Sequence, residues 1–194
     1  MKEVLLSTQP KWCEKIGNNE KKIEVRKTRP KGQKPFKCYI YCTKGDKKEQ
    51  ALLLDINGRL SFGDYRNADN KDFYIANGKV IGEFICDKVY LIKNRGSRFT
   101  VADEEQSVTN EVARQSCLDY NDMVSYLGNK DGYGWHISDL KIYDKPKELS
   151  DFIKKCSNNK LKDCVFCYYY DFNKNRCSNR ISRPPQSWQY VLEK

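Results

Sequence analysis

The sequence lacks several features that would place the protein in a broad class. No apolar run approaches the roughly 20 residues that cross a bilayer, and the mean hydropathy is −0.83. The first residues, MKEVLLSTQPKW, contain an acidic residue and only a short apolar run. Because this start lacks the long apolar stretch and cleavage site of a signal peptide, we expect a cytoplasmic protein.

The sequence also has no internal repeat, no low-complexity segment and a single histidine, His136. A solitary histidine is more often structural than catalytic, so His136 is only a weak candidate for chemistry. Charge, cysteine content and local strand patterns are therefore the features of the sequence that point to a function.

Basic residues are in excess and are unevenly placed along the 194 residues. Lys and Arg number 36 against 26 Asp and Glu, a net charge of +10. Residues 1–50 carry net +8, residues 51–144 carry net −4 and residues 145–194 carry net +6. A chain that is basic at both ends suits a polyanionic partner such as RNA or single-stranded DNA. The alternative is a solvated, lysine-rich surface, as in a phage protein or a protein of an AT-rich bacterium.

Nine cysteines are many for an intracellular protein, and an odd number cannot all form disulfides. Four lie in the tail with the spacing C-x7-C-x2-C-x9-C: Cys156, Cys164, Cys167 and Cys177. A C-x2-C turn lets two thiolates face one tetrahedral zinc ion, and two more complete a structural site. We predict a zinc-knuckle-like extension, with free thiols or disulfides as alternatives. The other five cysteines fall mostly on apolar faces and are predicted to be core residues.

The tail also has basic residues beside three consecutive tyrosines at positions 168–170. Cations interleaved with aromatic rings suit single-stranded nucleic acid. The alternative is a zinc-bound flap whose tyrosines pack inward.

The hydrophobic pattern predicts many short strands and few helices. Predicted strands are 4–6, 22–27, 36–43, 51–54, 78–91, 133–143 and 189–192. Predicted helices are 10–16, 109–117, 120–127 and 146–153, and residues 57–72 are a predicted hairpin or loop. Together these elements predict a small, mostly antiparallel β-barrel decorated by short helices.

Residues 22–27 alternate between apolar and charged side chains. The alternation places Ile23 and Val25 on one face and Lys22, Glu24 and Arg26 on the other. Such a charged face is costly to bury without a polar ligand or mutual pairing. The pattern therefore predicts a pocket, with an exposed edge strand carrying a Glu–Arg pair as the alternative.

Residues 17–26, GNNEKKIEVR, resemble the signature of the ASCH domain, a branch of the PUA-like superfamily. Lys21, Ile23, Glu24 and Arg26 fall in its register. The segments LLSTQPKWCEKI, KCYIYCT, GKVIGEFICDKV and YGWHISDLKIYDKP also fit, and together they cover most of residues 1–150. The resemblance implies a PUA-like barrel of the ASCH type over residues 1–150, followed by the cysteine-rich extension over residues 151–194 with its final strand.

PUA-like domains bind RNA or modified nucleobases, often in a cleft beside the first helix, and the resemblance implies the same here. The candidate ligand-binding residues are Ser7, Trp12, Lys21, Lys22, Glu24, Arg26 and Trp135. Glu24 could accept a hydrogen bond from a base N–H, Arg26 could bind phosphate, and the two tryptophans could supply stacking surfaces.

The resemblance also allows an enzyme. One ASCH-like group removes the acetyl group from acetylcytidine with a Lys, a Thr three residues later and a distant Glu. Lys21 matches the Lys, but Glu24 stands at the Thr position, and the distant Glu falls near Ser116, close to Glu111 and Asp119. Another group cleaves RNA. A small hydrolase that uses Lys21 and Glu24 is therefore the alternative function, and a protein-interaction module is a second alternative.

Overall fold

The computed structural model describes residues 1–32, 34–45, 50–64, 73–96, 98–101, 108–154, 170–171, 176–177 and 179–193. The strands in chain order are β1 (Lys2–Thr8), β2 (Ile23–Arg26), β3 (Phe36–Cys42), β4 (Gln50–Asp55), β5 (Leu60–Asp64), β6 (Phe73–Ile75), β7 (Val80–Cys86), β8 (Val89–Asn94), β9 (Phe99–Val101), β10 (Gly132–His136), β11 (Ser138–Lys147), β12 (Phe152–Lys154), β13 (Tyr170–Asp171), β14 (Arg176–Cys177) and β15 (Trp188–Glu193). The helices are α1 (Pro10–Gly17), α2 (Val108–Ser116) and α3 (Tyr120–Leu127).

The strands form one large sheet and three smaller ones. The large sheet has the order β11-β7-β3-β1-β15-β12, and the second has the order β2-β10-β8-β9. A third sheet has the order β5-β4-β6, and β13 pairs with β14. In the large sheet β1 and β3 run parallel, whereas its other pairs are antiparallel. The last strand, β15, lies between β1 and β12, so the end of the chain is part of the main sheet.

The mostly-β architecture with a few short helices agrees with the sequence-based prediction. Among the described residues the pairings give four sheets rather than one closed ring, so the barrel itself stays a prediction. No helix in the described ranges is long and apolar enough to span a membrane.

Three predicted elements differ from the structure. The predicted strands 78–91 and 133–143 are each two strands, because the chain passes from one sheet to the other at Asp87–Lys88 and at Ile137. The predicted helix 146–153 is the end of β11, a short 3-10 turn (Leu149–Asp151) and β12. Pro146 is accommodated in β11 because this strand lies at the sheet edge, where a missing N–H is tolerated.

The large sheet is buried on both faces. On β1, Val4 and Leu6 point into the main core cluster, whereas Leu5 points into a second cluster with Tyr39 of β3. Central strands buried on both sides lose the polar half of their alternation. Four cysteines, Cys13, Cys38, Cys42 and Cys86, are buried in the main cluster as predicted, and Cys117 is half-buried.

The two faces of β2 serve different purposes, as the alternation predicts. Ile23 and Val25 pack into a third cluster with Val112 of α2 and with Met123 and Leu127 of α3. The opposite face presents Glu24 and Arg26, which are also buried. This face of β2 positions the site described next.

Candidate functional site

A cleft of about 820 Å³ opens beside the charged face of β2. Its walls come from the end of β1, the start of α1, β2, the chain after β3, α3 and the segment before β15. The lining residues are Ser7, Thr8, Gln9, Lys11, Trp12, Lys21, Glu24, Val25, Arg26, Thr43, Lys44, Gly45, Leu118, Asp122, Ser125, Tyr126, Pro184, Pro185 and Gln186. This volume lies in the range of small-molecule and cofactor sites.

Backbone hydrogen bonds fix the turn that brings Lys21 to the cleft. Helix α1 ends at Gly17, and the Lys21 N–H then donates to the Lys15 carbonyl at 3.0 Å. The next N–H, of Lys22, donates to the Gln115 carbonyl at 2.8 Å. The chain between α1 and β2 is therefore tied to both α1 and α2, which directs the Lys21 side chain inward.

Lys21, Glu24 and Arg26 form a buried ionic triad. One Glu24 oxygen, Oε1, lies 2.7 Å from an Arg26 terminal nitrogen, and the other, Oε2, lies 3.6 Å from Lys21 Nζ. The three side chains are only 2–8% exposed. Burial of three charged groups has a large desolvation cost, which mutual pairing offsets only when the geometry is good.

The Lys21 ammonium is held by more than Glu24. It donates to the Ser116 carbonyl at 2.5 Å and lies 5.1 Å from the centroid of the Trp12 ring. Burial lowers the pKa of Lys21 below its ordinary value, and the nearby Glu24 carboxylate opposes that shift. Lys21 is therefore a candidate for proton transfer as well as for binding.

Arg26 ties three segments together at the floor of the cleft. One of its terminal nitrogens donates to the Ser7 carbonyl at 2.7 Å and to the Thr8 hydroxyl at 3.2 Å. The other donates to the Ser187 hydroxyl at 3.5 Å. The Ser7 hydroxyl in turn donates to the Pro185 carbonyl at 2.6 Å. Arg26 therefore fixes the relative positions of β1, β2 and the segment that leads into β15.

Two polar atoms of the triad have no hydrogen-bond partner among the described residues, Glu24 Oε2 and Arg26 Nε. The first is an acceptor and the second is a donor. Buried polar atoms are usually hydrogen-bonded, and an exception requires an explanation. A ligand that places an N–H beside an acceptor atom would complement this pair.

Aromatic rings and cations line the outer part of the cleft. Lys11 Nζ lies 4.4 Å from the centroid of the Trp12 ring, and Lys27 Nζ lies 5.3 Å from that of Tyr126. Lys44 is a further exposed residue of the cleft wall. Rings that face a cleft and have cations beside them can stack on a base and attract its phosphate.

The structure gathers most, but not all, of the predicted site residues. Ser7, Trp12, Lys21, Glu24 and Arg26 line one cleft. Two others do not, Lys22 and Trp135.

The Lys22 side chain is exposed and lies outside the cleft, because β2 begins only at Ile23 and the turn sends the preceding lysine inward. Trp135 is fully buried in the main cluster, where its ring packs edge-on against Phe36 and Trp188. It pairs with Glu24 across β10 and β2, so the prediction that it faces a ligand is not met in this conformation.

Sequence reasoning missed three parts of the cleft wall. They are the chain after β3 (Thr43–Gly45), the exposed face of α3 with Asp122 and Tyr126, and Pro184–Gln186. Each reaches the cleft through long-range packing. The one available signal was the Pro-Pro-Gln motif. Consecutive prolines indicate an extended segment that cannot join a β-sheet, because proline has no N–H to donate.

The carboxylates that were considered for an acetylcytidine hydrolase do not reach Lys21. Glu111 pairs with Arg114 at 2.6 Å on the exposed side of α2, and Asp119 accepts from the Asp122 N–H as the cap of α3. In the described part of the chain, Glu24 is the carboxylate beside Lys21.

The predicted zinc ligands belong to the C-terminal extension. Cys156, Cys164 and Cys167 lie outside the described residues, and only the backbone of Cys177 is described. Within the described ranges no group of three or more His, Cys, Asp or Glu side chains could hold a metal ion.

Two solved structures resemble this chain over its whole length. Both are mutant forms of the ASCH protein from Zymomonas mobilis, one with a tyrosine replaced by phenylalanine and one with a serine replaced by alanine. Both are 15% identical in sequence to this chain, and both alignments cover 100% of it. The tyrosine variant is covered over 92% of its own chain with a TM-score of 0.52, and the serine variant over 89% with a TM-score of 0.53.

The chain has an ASCH-domain fold. No protein-family model and no curated protein matches the sequence. At this level of identity the likeness extends to the ASCH fold alone, so function has to be argued from the cleft.

Proposed function

We propose that the cleft binds a nucleotide unit, either a residue of RNA or a modified nucleotide. The observation that carries the proposal is the buried triad at the floor of a cleft with aromatic and basic walls: Glu24 Oε2 and Arg26 Nε make no hydrogen bond among the described residues, although Oε2 lies 3.6 Å from the Lys21 ammonium. A nucleobase edge has N–H donors next to ring or carbonyl acceptors, which matches this pair of atoms.

The cleft chemistry orients the ligand. An N–H of the base donates to Glu24 Oε2, and a neighbouring acceptor receives a hydrogen bond from Lys21 or Arg26. The base plane stacks on Trp12 or Tyr126, and the phosphate turns outward to Lys11 and Lys44. This orientation is favoured because Lys21 and Arg26 at the floor are already paired with Glu24, whereas Lys11 and Lys44 pair with no carboxylate among the described residues.

Binding of RNA and of nucleotides to matched lysine variants tests the proposal. We expect the wild type to bind a single-stranded RNA oligonucleotide and at least one nucleoside monophosphate, with Lys21→Met weakening both by about tenfold or more. Lys22→Met removes the same charge from an exposed neighbour outside the cleft and is the control. Fluorescence anisotropy and isothermal titration calorimetry measure the two affinities.

Two results would contradict the proposal. One is the absence of binding to RNA and to all nucleotides tested, modified ones included. The other is equal weakening by Lys21→Met and Lys22→Met, since only bulk charge would then matter.

A hydrolase at the same cleft is a second candidate, and the lowered pKa of Lys21 favours it. A lysine that gives up its proton more readily, beside a carboxylate, can exchange protons with a substrate. Wild type would then cleave single-stranded RNA or N-acylated cytidine, and Lys21→Met would abolish turnover. Binding without turnover of either substrate leaves the protein as a binder.

The four tail cysteines are proposed to bind one structural zinc ion, on the strength of their spacing. Elemental analysis of the purified chain should show about one zinc per molecule. A metal-free protein whose Cys164 and Cys167 react freely with an alkylating agent would refute this site.

A further inference from the structure

The segment that follows β2 is a run of cations. Between positions 25 and 45 the sequence has seven basic residues and no acidic one. Residues 27–32 together with Lys34, called the basic arm here, carry four of them: Lys27, Arg29, Lys31 and Lys34. The arm begins directly after Arg26, at the floor of the cleft, so it is continuous with the cleft along the chain.

The charges of the basic arm are exposed, and the described part of the chain places no carboxylate beside them. All four cationic residues are exposed. Among the described residues, none of the four lies within ion-pair distance of a carboxylate. Four like charges in one short segment repel each other, which makes the arm a site of positive potential that an anion relieves.

The basic arm runs over a series of aromatic rings. Lys27 Nζ lies 5.3 Å from the centroid of Tyr126, a wall residue of the cleft, and the Arg29 guanidinium lies 5.6 Å from that of Tyr133. Further along, the arm meets β15, where the Trp188 indole N–H donates to the Thr28 hydroxyl at 3.0 Å.

Beyond this point the arm is anchored by one backbone and one side-chain hydrogen bond. The Lys31 N–H donates to the Tyr190 hydroxyl at 2.9 Å, and Lys34 Nζ reaches the Val89 carbonyl at 3.3 Å. Lys2, an exposed cation on β1, lies 5.8 Å from the centroid of the Tyr190 ring. The arm is therefore held across the surface from the cleft to β15 and β8, and its cations are spaced along that path.

We propose that the basic arm binds the phosphates that flank the nucleotide in the cleft, so that the ligand is a single-stranded nucleic acid rather than a free nucleotide. This inference rests on the proposed function of the cleft, and it adds a second surface. Exposed cations spaced along a path beside half-buried aromatic rings are the arrangement that tracks a single strand without reading its sequence.

Two variants with the same change in net charge test the inference. The arm variant is Arg29→Gln/Lys31→Gln/Lys34→Gln, and it keeps Lys27 because that lysine contacts Tyr126 of the cleft wall. The control variant changes three exposed lysines elsewhere, Lys130→Gln/Lys141→Gln/Lys145→Gln. Both have three fewer positive charges than the wild type. The probes are RNA and DNA single strands about 12 nucleotides long and the nucleoside monophosphate that the wild type binds best.

We expect the arm variant to bind the RNA strand at least about tenfold more weakly near 100 mM salt, with the slope of log K against log salt reduced by up to about 2. Its affinity for the nucleoside monophosphate should stay within about twofold of wild type, because the arm contacts only phosphates outside the cleft. The control variant should retain most of its RNA affinity. Comparison of the RNA and DNA strands shows whether the arm favours one of them.

The outcomes separate the arm from the cleft. Equal weakening of RNA binding by the arm and control variants overturns the inference, as does an unchanged salt slope in the arm variant or a wild type that binds no strand. If the arm variant loses RNA binding while Lys21→Met changes nothing, the cleft proposal fails and the arm remains a nucleic-acid surface. If both variants unfold at the same urea concentration as wild type, a folding defect is excluded.

Discussion

The charged face of β2 and the basic arm that follows it carry similar side chains in opposite environments. Lys21, Glu24 and Arg26 are nearly inaccessible to solvent and are paired within 3.6 Å. The cations of the basic arm are exposed and have no carboxylate partner among the described residues. One short stretch of chain therefore contains both a fixed ionic site and a diffuse positive surface.

The difference between the two regions lies in what their charges can do. Buried charges keep one geometry, since moving them breaks hydrogen bonds in a low-dielectric setting, and so they can discriminate among ligands. Exposed charges act over about 10 Å at moderate salt and are screened by ions, so they attract and retain a polyanion without selecting it. Stability should thus depend on the first region, and salt-dependent affinity on the second.

The largest effect on stability is expected from Glu24→Gln. This change leaves Lys21 and Arg26 buried beside each other with no carboxylate between them. An uncompensated buried charge lowers the free energy of unfolding by about 3–5 kcal/mol. Urea denaturation at neutral pH under reducing conditions measures the loss, and the reducing agent keeps the cysteines as thiols.

Glu20→Gln is the matched control for this prediction. Glu20 pairs with Lys15 at 3.1 Å, but both side chains are well exposed, at 54% and 39%. Exposed pairs contribute about 0.2–1 kcal/mol in general, so a small loss is expected. If the two variants lose similar amounts, the charges of β2 are better solvated than their burial indicates, and the contrast between the two regions disappears.

An intermediate effect is expected in the pH dependence of stability. Because burial lowers the pKa of Lys21 in the folded protein, the unfolded chain retains this proton to a higher pH. Below the folded-state pKa, Lys21 is buried in its protonated form, which lowers the free energy of unfolding. This loss disappears as the pH rises from the folded-state pKa toward the ordinary value of 10.5.

Wild type should thus gain stability relative to Lys21→Met as the pH rises through this window. Free energies of unfolding measured from about pH 7 to pH 10 give the difference between the two proteins. Lys22→Met supplies the background for loss of an exposed lysine. A difference between wild type and Lys21→Met that is independent of pH would show that the Lys21 ammonium is solvated.

Local alternation explains why the faces of β2 could be predicted. A period of two assigns Glu24 and Arg26 to the face opposite Ile23 and Val25, whatever the rest of the fold does. It could not decide between Lys21 and Lys22, because that choice depends on where α1 ends and on the hydrogen bond from Lys21 N–H to Lys15. The same limit applies to Trp135, whose burial follows from rings contributed by β3 and β15.

Strand ends were hard to predict where two sheets meet. Strand-forming residues lie on both sides of Asp87–Lys88 with no glycine or proline between them, yet β7 belongs to the large sheet and β8 to the second sheet. An apolar sequence pattern predicts that residues are buried but does not show which sheet they belong to. Two consecutive strands in different sheets therefore look like one long strand. The bounds of helices α2 and α3, by contrast, were predicted to within one residue. For α3 the sequence contains a local start signal, the Asp119 cap.

The smallest effect on stability is expected from the basic arm. In Lys31→Gln the backbone hydrogen bonds of residue 31 to Tyr190 remain, and the side chain that changes is exposed. Exposed substitutions away from caps and ion pairs change the free energy of unfolding by no more than about 0.5 kcal/mol. Removing one of four cations that repel each other also relieves repulsion, which raises the free energy of unfolding slightly. This gain is larger at low salt, where the repulsion is less screened. Urea denaturation of wild type and Lys31→Gln at low and at moderate salt measures both effects, and a loss above about 1 kcal/mol would mean that the arm is a structural element rather than a charged surface.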